Sequence, residues 1–257
     1  MLGICKFCGE EKQLVQSHII PKCLHATNQG RMVGINATTK FDTNPNTQNG
    51  YKERLLCADC DNKLGVFDNY AKKFFYDIIP NASTDVSDGF NIYYIRSDKF
   101  DYEKLYKFFV SVLWRCGISS KRVDLKKYQQ IAFDILTDKA PIQPDLFLPI
   151  ICKKEIEHPS NYATGMSPGR FAGKYAYCLK IPGYEITIVV NTKDSKDPKS
   201  IDMYKTYFCK NCIKVIKMDI LSTVDKLLSH KVELNKKNNA KFKILTNKKS
   251  RIPGTKN

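Results

Sequence analysis

Cys5-Lys6-Phe7-Cys8 is matched in spacing by Cys57-Ala58-Asp59-Cys60, and Ser17-His18-Ile19-Ile20-Pro21 lies between the two pairs. Two cysteines separated by two residues can bring both sulfurs to one metal ion. Two such pairs complete the tetrahedral shell of a structural zinc ion and leave no open position for a substrate. The four cysteines therefore predict a Zn2+ site that stabilises the fold, so any reaction has to take place beside it.

His18 is the candidate for chemistry beside this zinc. The apolar residues around it favour a strand that ends at Pro21, and Asp61 directly follows Cys60 at the start of a helical pattern. A neutral imidazole can take a proton from water near neutral pH. A carboxylate can hold a hard cation such as Mg2+ against a phosphate, although spacing alone favours a cap of the helix N-terminus for Asp61.

The order of these motifs resembles the HNH endonucleases over residues 5 to 77: C-x2-C, a strand ending in His-Ile-x-Pro, then Leu-Cys-x2-Cys before a helix. The resemblance implies a ββα-metal fold carried on a treble-clef-like zinc unit. It implies that His18 is the general base that activates water and that Asp61 binds a catalytic Mg2+ or Mn2+. The runs SHIIPK, ERLLCADCDNKLG and FFVSVLWRCG also resemble bacterial HNH-like proteins, some of them in phage-defence settings.

Three positions depart from the family pattern. Ser17 stands where the family usually has Asp, Glu or His as a metal ligand, and Asp61 stands where it usually has His or Asn. The family's middle asparagine has no clean counterpart, since Lys52 occupies about that place and Asn49 is the nearest amide. A catalytically inactive, zinc-stapled nucleic-acid-binding module is therefore the alternative, and a protein–protein adaptor is the third hypothesis.

The charge of the chain favours a polyanionic partner. The chain has 42 basic and 26 acidic residues and a net charge of +16, which attracts nucleic acid, and we expect DNA rather than RNA. Eight of the basic residues lie in the tail, residues 235–257, either as an arm along phosphates or as a solvating terminus. The candidate nucleic-acid-binding residues are Lys22, Lys236, Lys237, Lys248, Lys249 and Arg251.

We expect an α+β protein with three parts. Residues 1–80 form the HNH-like zinc-binding ββα unit, residues 90–234 form a mixed helical and antiparallel-sheet domain, and residues 235–257 form the basic tail. Pro80 to Gly89 is a linker by composition. His25 lies in a long polar connection, and we favour a surface or packing role for it over metal binding.

Periodicity predicts the elements of the larger part. Helices are expected over 61–79, Asp101 to Cys116 and Asp124 to Thr137, the second capped by Asp101 and Gly117. The predicted strands are Phe90–Ile95, Leu146–Ile151, Phe171–Ile181 and Tyr184–Asn191, with a turn at Pro182-Gly183 and a charged loop over Lys193–Ser200.

Some charged residues and thiols have more than one interpretation. Asp68 is expected to pair with Lys72 one helical turn later, and Arg115 to bind the last carbonyls of its helix rather than a phosphate. Cys209-Lys-Asn-Cys212 is a third C-x2-C pair, but the chain offers it no second pair. We expect these thiols to pack at the start of a helix that runs to Ser229, rather than to bind a second metal.

Cysteine usage and hydropathy suggest a compartment. No secretory signal is visible, the other cysteines are scattered in apolar contexts, and no stretch reaches the roughly 20 apolar residues of a membrane span. We expect a reducing, cytoplasmic location and no membrane partner. A homo-oligomer or a partner protein of a defence system is left open.

Overall fold

The structure, a computed structural model, describes residues 1–24, 52–120, 123–154, 166–193 and 195–218. These residues form the predicted α+β fold. The N-terminal part is an antiparallel sheet of β1 (Leu2–Ile4), β2 (Glu11–His18) and β3 (Lys52–Cys57), with β2 in the middle. Helix α1 (Ala58–Lys73) follows β3 directly and continues into a π turn at Phe74–Ile78.

Helix α2 (Tyr102–Ile118) is the centre of the molecule and is buried along most of its length. It packs between α1, α3 (Tyr128–Leu136) and a large sheet. Neighbours cover α2 on several sides, which explains why its apolar stripe is wide and why few of its residues contact water. Phe75, after α1, contacts Phe108 and Phe109 of α2 edge to face.

The two ends of α2 differ in how well the sequence predicts them. Asp101 caps the start as expected, since its Oδ1 accepts a hydrogen bond from the Lys104 N–H at 3.0 Å. The predicted end at Gly117 is wrong, because the helix continues to Ile118 and Ser119 caps it. Gly117 serves close packing instead: a Cβ there would lie 1.8 Å from Oε1 of Gln129.

Replacing Asp101 by alanine is expected to lower the free energy of unfolding by about 1 kcal/mol at neutral pH, because an N-terminal backbone donor loses its acceptor. Burial acts to raise the pKa of Asp101, but hydrogen bonds from Lys104 outweigh it and lower the pKa below its ordinary value. The contribution is therefore present above the unfolded pKa of about 3.9 and is lost as the pH falls through the folded pKa.

Denaturant unfolding of wild type and Asp101→Ala across this pH range measures the difference. Asp202→Ala is the control, since its carboxylate is 72% exposed and pairs with Lys205 three residues later. A difference between wild type and Asp101→Ala that stays constant down to the lowest pH would contradict the assignment.

The large sheet has seven strands, in the order β4-β5-β10-β6-β9-β8-β7. All neighbours are antiparallel except β10 and β6, which are parallel. The strands are β4 (Ser83–Ser87), β5 (Phe90–Arg96), β6 (Phe147–Lys154), β7 (Ser167–Phe171), β8 (Lys174–Ile181), β9 (Tyr184–Val190) and β10 (Cys212–Met218). The expectation of a small antiparallel sheet is therefore corrected to a larger, mixed one.

Tight turns and a short helix account for most of the differences from the predicted elements. The segment expected as a linker, residues 80–89, contains β4 and a turn to β5 in which Asp88 and Gly89 have φ of 52° and 82°. The expected single strand 171–181 is divided by a similar turn at Ala172 and Gly173, with φ of 48° and 78°. Positive φ at both central residues matches the twist of paired strands, so both segments are hairpins.

Two further segments also differ from their predictions. Part of the expected loop 193–200 begins helix α4 (Pro198–Lys205), which Asp197 caps by accepting from the Ser200 N–H at 3.1 Å. The helix expected after Cys212 is wrong as far as Met218, where the chain forms β10. Residues Ile213 to Met218 are short enough for either interpretation, and pairing with β5 and β6 selects the strand. The remainder of that predicted helix lies outside the described residues.

An aromatic contact joins the N-terminal part to the helices. Phe7, between Cys5 and Cys8, lies 5.5 Å from the rings of both Trp114 in α2 and Phe133 in α3. The buried apolar residues of the described chain, from Cys5 in the N-terminal part to Ile216 in the large sheet, form one connected cluster. The N-terminal sheet is thus held against α2 and α3 by packing as well as by the chain.

Candidate metal centre and the adjoining histidine

The four predicted zinc cysteines converge. The Sγ atoms of Cys5, Cys8, Cys57 and Cys60 all lie within 4.8 Å of one another. Cys5 and Cys8 belong to the turn between β1 and β2, Cys57 ends β3, and Cys60 lies in the first turn of α1. Three of the four are buried, and Cys8 is exposed.

Backbone hydrogen bonds shape the first cysteine turn. The Gly9 N–H donates to the Cys5 carbonyl and the Cys5 N–H donates to the Glu10 carbonyl, both at 2.9 Å. Gly9 has a φ of 76°, a conformation that residues with a Cβ rarely adopt, as its place after Cys8 predicts. The Cys57 N–H donates to Cys5 Sγ at 3.3 Å, so a hydrogen bond connects the second cysteine pair to the first.

The electrostatics of the cluster suit a cation. Burial acts to raise the pKa of Cys5, but hydrogen bonds from the backbone of Cys8, Cys57 and Phe7 outweigh it and lower the pKa to about 7. Burial, and then hydrogen bonds with the neighbouring thiols, raises the pKa of Cys60. Four thiols at one point cannot all ionise unless positive charge enters, and a divalent ion supplies it.

The donor set fits zinc. Zn–S bonds of about 2.3 Å place neighbouring sulfurs of a tetrahedral site roughly 3.8 Å apart, and the observed cluster is close to that size. Thiolates are soft ligands that favour zinc over magnesium or calcium. The cluster could therefore hold Zn2+. Among the described residues, no other group of three or more metal-ligating side chains comes this close together.

His18 lies on strand β2, as predicted, opposite Lys52 on β3, but β2 ends at His18 rather than at the predicted Pro21. The register shifts just before His18: Val15 pairs with Leu56, whereas Ser17 pairs with Glu53, so β3 has one residue more than β2 between these pairs. Such irregularities increase local twist and re-aim side chains, and they are frequent beside functional sites.

Ser17 is 1% exposed, and its Oγ has no hydrogen-bond partner among the described residues. Glu53, opposite Ser17, accepts from the Ser120 N–H at 2.9 Å and from the Ser120 hydroxyl at 2.7 Å. The irregular pairing that precedes His18 is therefore tied to the end of α2. A buried hydroxyl without a partner costs free energy of folding, so Ser17 marks a polar position beside His18 that the described residues do not satisfy.

Arg115 connects three elements beside His18. Its guanidinium forms a two-bond ion pair with Asp68 of α1, with Nη1–Oδ2 at 2.9 Å and Nη2–Oδ1 at 2.6 Å. Nη1 also donates to the His18 carbonyl at 3.2 Å. Nε and Nη2 donate to the carbonyl and hydroxyl of Ser111 at 3.3 and 3.1 Å. Arg115 therefore holds the end of β2 against α1 and α2.

This arrangement corrects two predictions. Arg115 does not serve as a cap of the last carbonyls of α2, and the partner of Asp68 is Arg115 rather than Lys72. A signal was present in the sequence, since Arg115 falls three residues after Val112 and seven after Phe108, within the apolar stripe of α2. A charged residue at such a position predicts a buried ion pair, but the partner is not visible from spacing.

Asp61 lies in the first turn of α1, as predicted, and is partly buried. Its charge reaches Arg115: burial acts to lower the pKa of Arg115, and the carboxylates of Asp68 and, to a smaller degree, Asp61 raise it above its ordinary value. Arg115 is hydrogen-bonded to the His18 carbonyl, whereas the effect of Asp61 on Arg115 is electrostatic.

One of the candidate nucleic-acid-binding residues, Lys22, lies in the described part of the chain. Lys22 is exposed in a short 3-10 turn at Lys22–Leu24, four residues after His18. His25, Asn49 and the tail residues Lys236, Lys237, Lys248, Lys249 and Arg251 lie outside the described residues.

Comparison of the chain with protein-family models, with curated proteins and with solved structures gave no match. None of the helices in the described part of the chain has the length and apolar character needed to cross a membrane.

Proposed function

We propose that the chain is a metal-dependent endonuclease of the HNH type that hydrolyses phosphodiester bonds, in DNA rather than RNA. Residues 1–80 form its treble-clef-like ββα unit, with Zn2+ on Cys5, Cys8, Cys57 and Cys60. Support comes from the element order β1, β2, β3 and α1, with one cysteine pair in the first turn and the other at the junction of β3 and α1.

One observation carries the proposal. The strand end with His18 and the helix turn with Asp61 belong to the same cysteine-clustered unit, and Arg115 holds the His18 carbonyl in place. A histidine and a carboxylate held on a rigid frame are the minimum set for water activation beside a hard cation.

His18 acts as the general base in this proposal. Its imidazole accepts a proton from the attacking water, and the hydrogen bond from Arg115 to its carbonyl fixes the backbone from which the ring projects. Asp61 would hold Mg2+ or Mn2+, since Mg2+ is usually held by one or two carboxylates. The cation, when bound, stabilises charge on the phosphate oxygens. Lys22, exposed nearby, contacts the nucleic-acid backbone.

The second candidate is a nucleic-acid-binding module without catalysis. It is favoured by Ser17, a neutral residue where the resemblance places a metal ligand, and it needs only the zinc unit and the charge of +16. It predicts salt-sensitive binding that is independent of His18.

Replacing His18 by alanine is expected to lower cleavage by about 100- to 10,000-fold, the range for loss of a general base. Purified wild type and His18→Ala are incubated with plasmid DNA and single-stranded RNA in Mg2+, in Mn2+ and in EDTA. The zinc content is measured in each case, so that loss of the structural ion is not mistaken for loss of the catalytic one. His230→Ala, to which the resemblance assigns no role, is the matched control.

Cleavage that requires added Mg2+ or Mn2+ and fails only in His18→Ala supports the nuclease. Salt-sensitive binding without cleavage by any of the three proteins contradicts it and supports the binding module. Equal cleavage by wild type and His18→Ala would exclude His18 as the base.

A further inference from the structure

A second pair of cysteines lies far from the metal cluster. Cys209 and Cys212 occupy the turn between α4 and β10, which is closed by a hydrogen bond from the Cys209 N–H to the Cys212 carbonyl at 3.2 Å and by a bridge between Phe208 and Ile213. Their Sγ atoms are 3.8 Å apart, which is van der Waals contact. Both side chains are partly exposed, so solutes can reach them.

The surroundings of this pair differ from those of the metal cluster. At the cluster, a backbone N–H donates to a sulfur, which favours the thiolate. At Cys209 and Cys212, both thiols lie within hydrogen-bonding range of the Thr206 carbonyl, at 3.9 and 3.7 Å, and Cys209 Sγ also lies 3.4 Å from the Cys212 carbonyl. Carbonyl oxygens accept from a neutral S–H and repel a thiolate. These carbonyls favour the neutral thiol, and burial raises the pKa of Cys212, whereas the Tyr94 hydroxyl and the Lys214 ammonium beside it act to lower that pKa and so support a reactive thiolate fraction.

The ligand count argues against a metal site at this pair. Within the described residues, no third cysteine, histidine or carboxylate completes a metal-sized group with Cys209 and Cys212. A structural zinc site needs four ligands, so this pair supplies only half of one.

The other cysteines outside the cluster have no such partner. Burial raises the pKa of Cys116, Cys152 and Cys178 to about 12 and that of Cys23 to about 11. Cys23 Sγ donates to the Asp68 carbonyl and Cys178 Sγ to Glu185, so each of these partly buried thiols has a partner other than a second cysteine. All ten cysteines of the chain are described and are free thiols, and outside the metal cluster Cys209 and Cys212 are the two whose sulfurs are in contact.

We propose that Cys209 and Cys212 are a redox site that forms a reversible disulfide by exchange with low-molecular-weight disulfides. One thiol, as its thiolate, attacks a sulfur of the small disulfide and releases one small thiol, leaving a mixed disulfide on the protein. The second cysteine then displaces the other small thiol and closes the Cys209–Cys212 bond. Two electrons and two protons pass to the small disulfide, which becomes two thiols, so the exchange is balanced.

The change of geometry is small. The sulfurs must approach from 3.8 Å to about 2.05 Å, which rotation about the side-chain bonds can supply. The two intervening residues, Lys210 and Asn211, are exposed, so the turn can adjust without moving the core. Cys212 is the first residue of β10, which lies between β5 and β6 in the sheet. A disulfide with Cys209 would therefore tie the preceding turn to the start of an interior strand.

The experiment uses the position of Lys210 between the two cysteines. Full-length, zinc-loaded protein is equilibrated with mixtures of reduced and oxidised glutathione, quenched by alkylation and digested with trypsin, which cuts after Lys210. The disulfide keeps the peptides 206–210 and 211–214 joined as one species until a reductant is added. We expect this species to rise with the oxidised fraction and to disappear on return to reduced glutathione. Cys209→Ser is expected to abolish it while keeping the zinc content of wild type.

Cys152 and Cys178 serve as the internal control. We expect each of them to be found as a separate alkylated peptide and not in a disulfide. The proposal is overturned if the joined peptides never form, if oxidation stops at a glutathione adduct on one cysteine, or if Cys209→Ser loses an equivalent of bound zinc. The last result would assign the pair to a metal instead. None of these readouts depends on nuclease activity.

Discussion

Replacing Cys57 by alanine is expected to remove the bound zinc and to unfold the N-terminal sheet together with the start of α1. Zn2+ binding contributes roughly 10–16 kcal/mol in small zinc-dependent units, as much as the whole stability of a typical domain, about 5–15 kcal/mol. The loss of one thiolate of four removes most of that contribution. The sheet has three strands, of which β1 spans only Leu2–Ile4, and its buried residues are few, so the cysteine cluster supplies much of what holds it together.

Zinc content by elemental analysis and thermal unfolding by circular dichroism measure this effect. We expect wild-type protein to carry one zinc per chain and Cys57→Ala to carry none and to show an early or missing transition. Treatment of wild type with a chelator should reproduce the variant. Cys116→Ala is the matched control, because Cys116 is 4% exposed but lies outside the cluster, and it should keep its zinc. Retention of zinc and of the melting behaviour by Cys57→Ala would exclude the site.

Breaking the ion pair between Arg115 and Asp68 is expected to lower the free energy of unfolding by about 3–5 kcal/mol, because the remaining partner stays buried without its counter-charge. The guanidinium side chain is 3% exposed and the carboxylate 13% exposed, so water compensates little. Arg115 also holds the His18 carbonyl, so its loss frees the end of β2. Asp68→Asn and Arg115→Met should each lower Tm on the order of 10 °C.

A double variant separates the pair from its surroundings. Asp68→Leu combined with Arg115→Met removes both charges, and we expect it to be more stable than the sum of the single changes predicts. Full recovery is not expected, since the bonds from Arg115 to His18 and Ser111 are lost as well. Arg96→Met is the surface control: Arg96 is 73% exposed and pairs with Asp98, so its removal should cost less than about 1 kcal/mol. Equal losses of stability in Arg96→Met and Arg115→Met would contradict a stabilising role of the buried ion pair between Arg115 and Asp68.

Much of the candidate site is encoded locally. The C-x2-C spacing and Gly9 specify the cysteine turn, because the sulfurs and the positive φ depend on neighbours in the chain. The strand that carries His18, the helix that carries Asp61 and the cap by Asp101 are predictable for the same reason, although the strand ends before Pro21 and the helix begins at Ala58. The convergence of the two cysteine pairs is also predictable, since four thiols at this spacing favour one shared ion.

Contacts between residues distant in the chain could not be read in this way. Asp68 and Arg115 are 47 residues apart, and each has a nearer candidate partner that spacing favours. The segment after Cys212 can form a helix or a strand by its own pattern, and it becomes β10 because β5 and β6 leave a place between them. Where the energy of a contact lies within one turn or one strand, the amino-acid pattern is sufficient. Where burial decides which partner a residue or segment contacts, as for Arg115 and β10, the choice depends on the assembled core and is not visible in the local sequence.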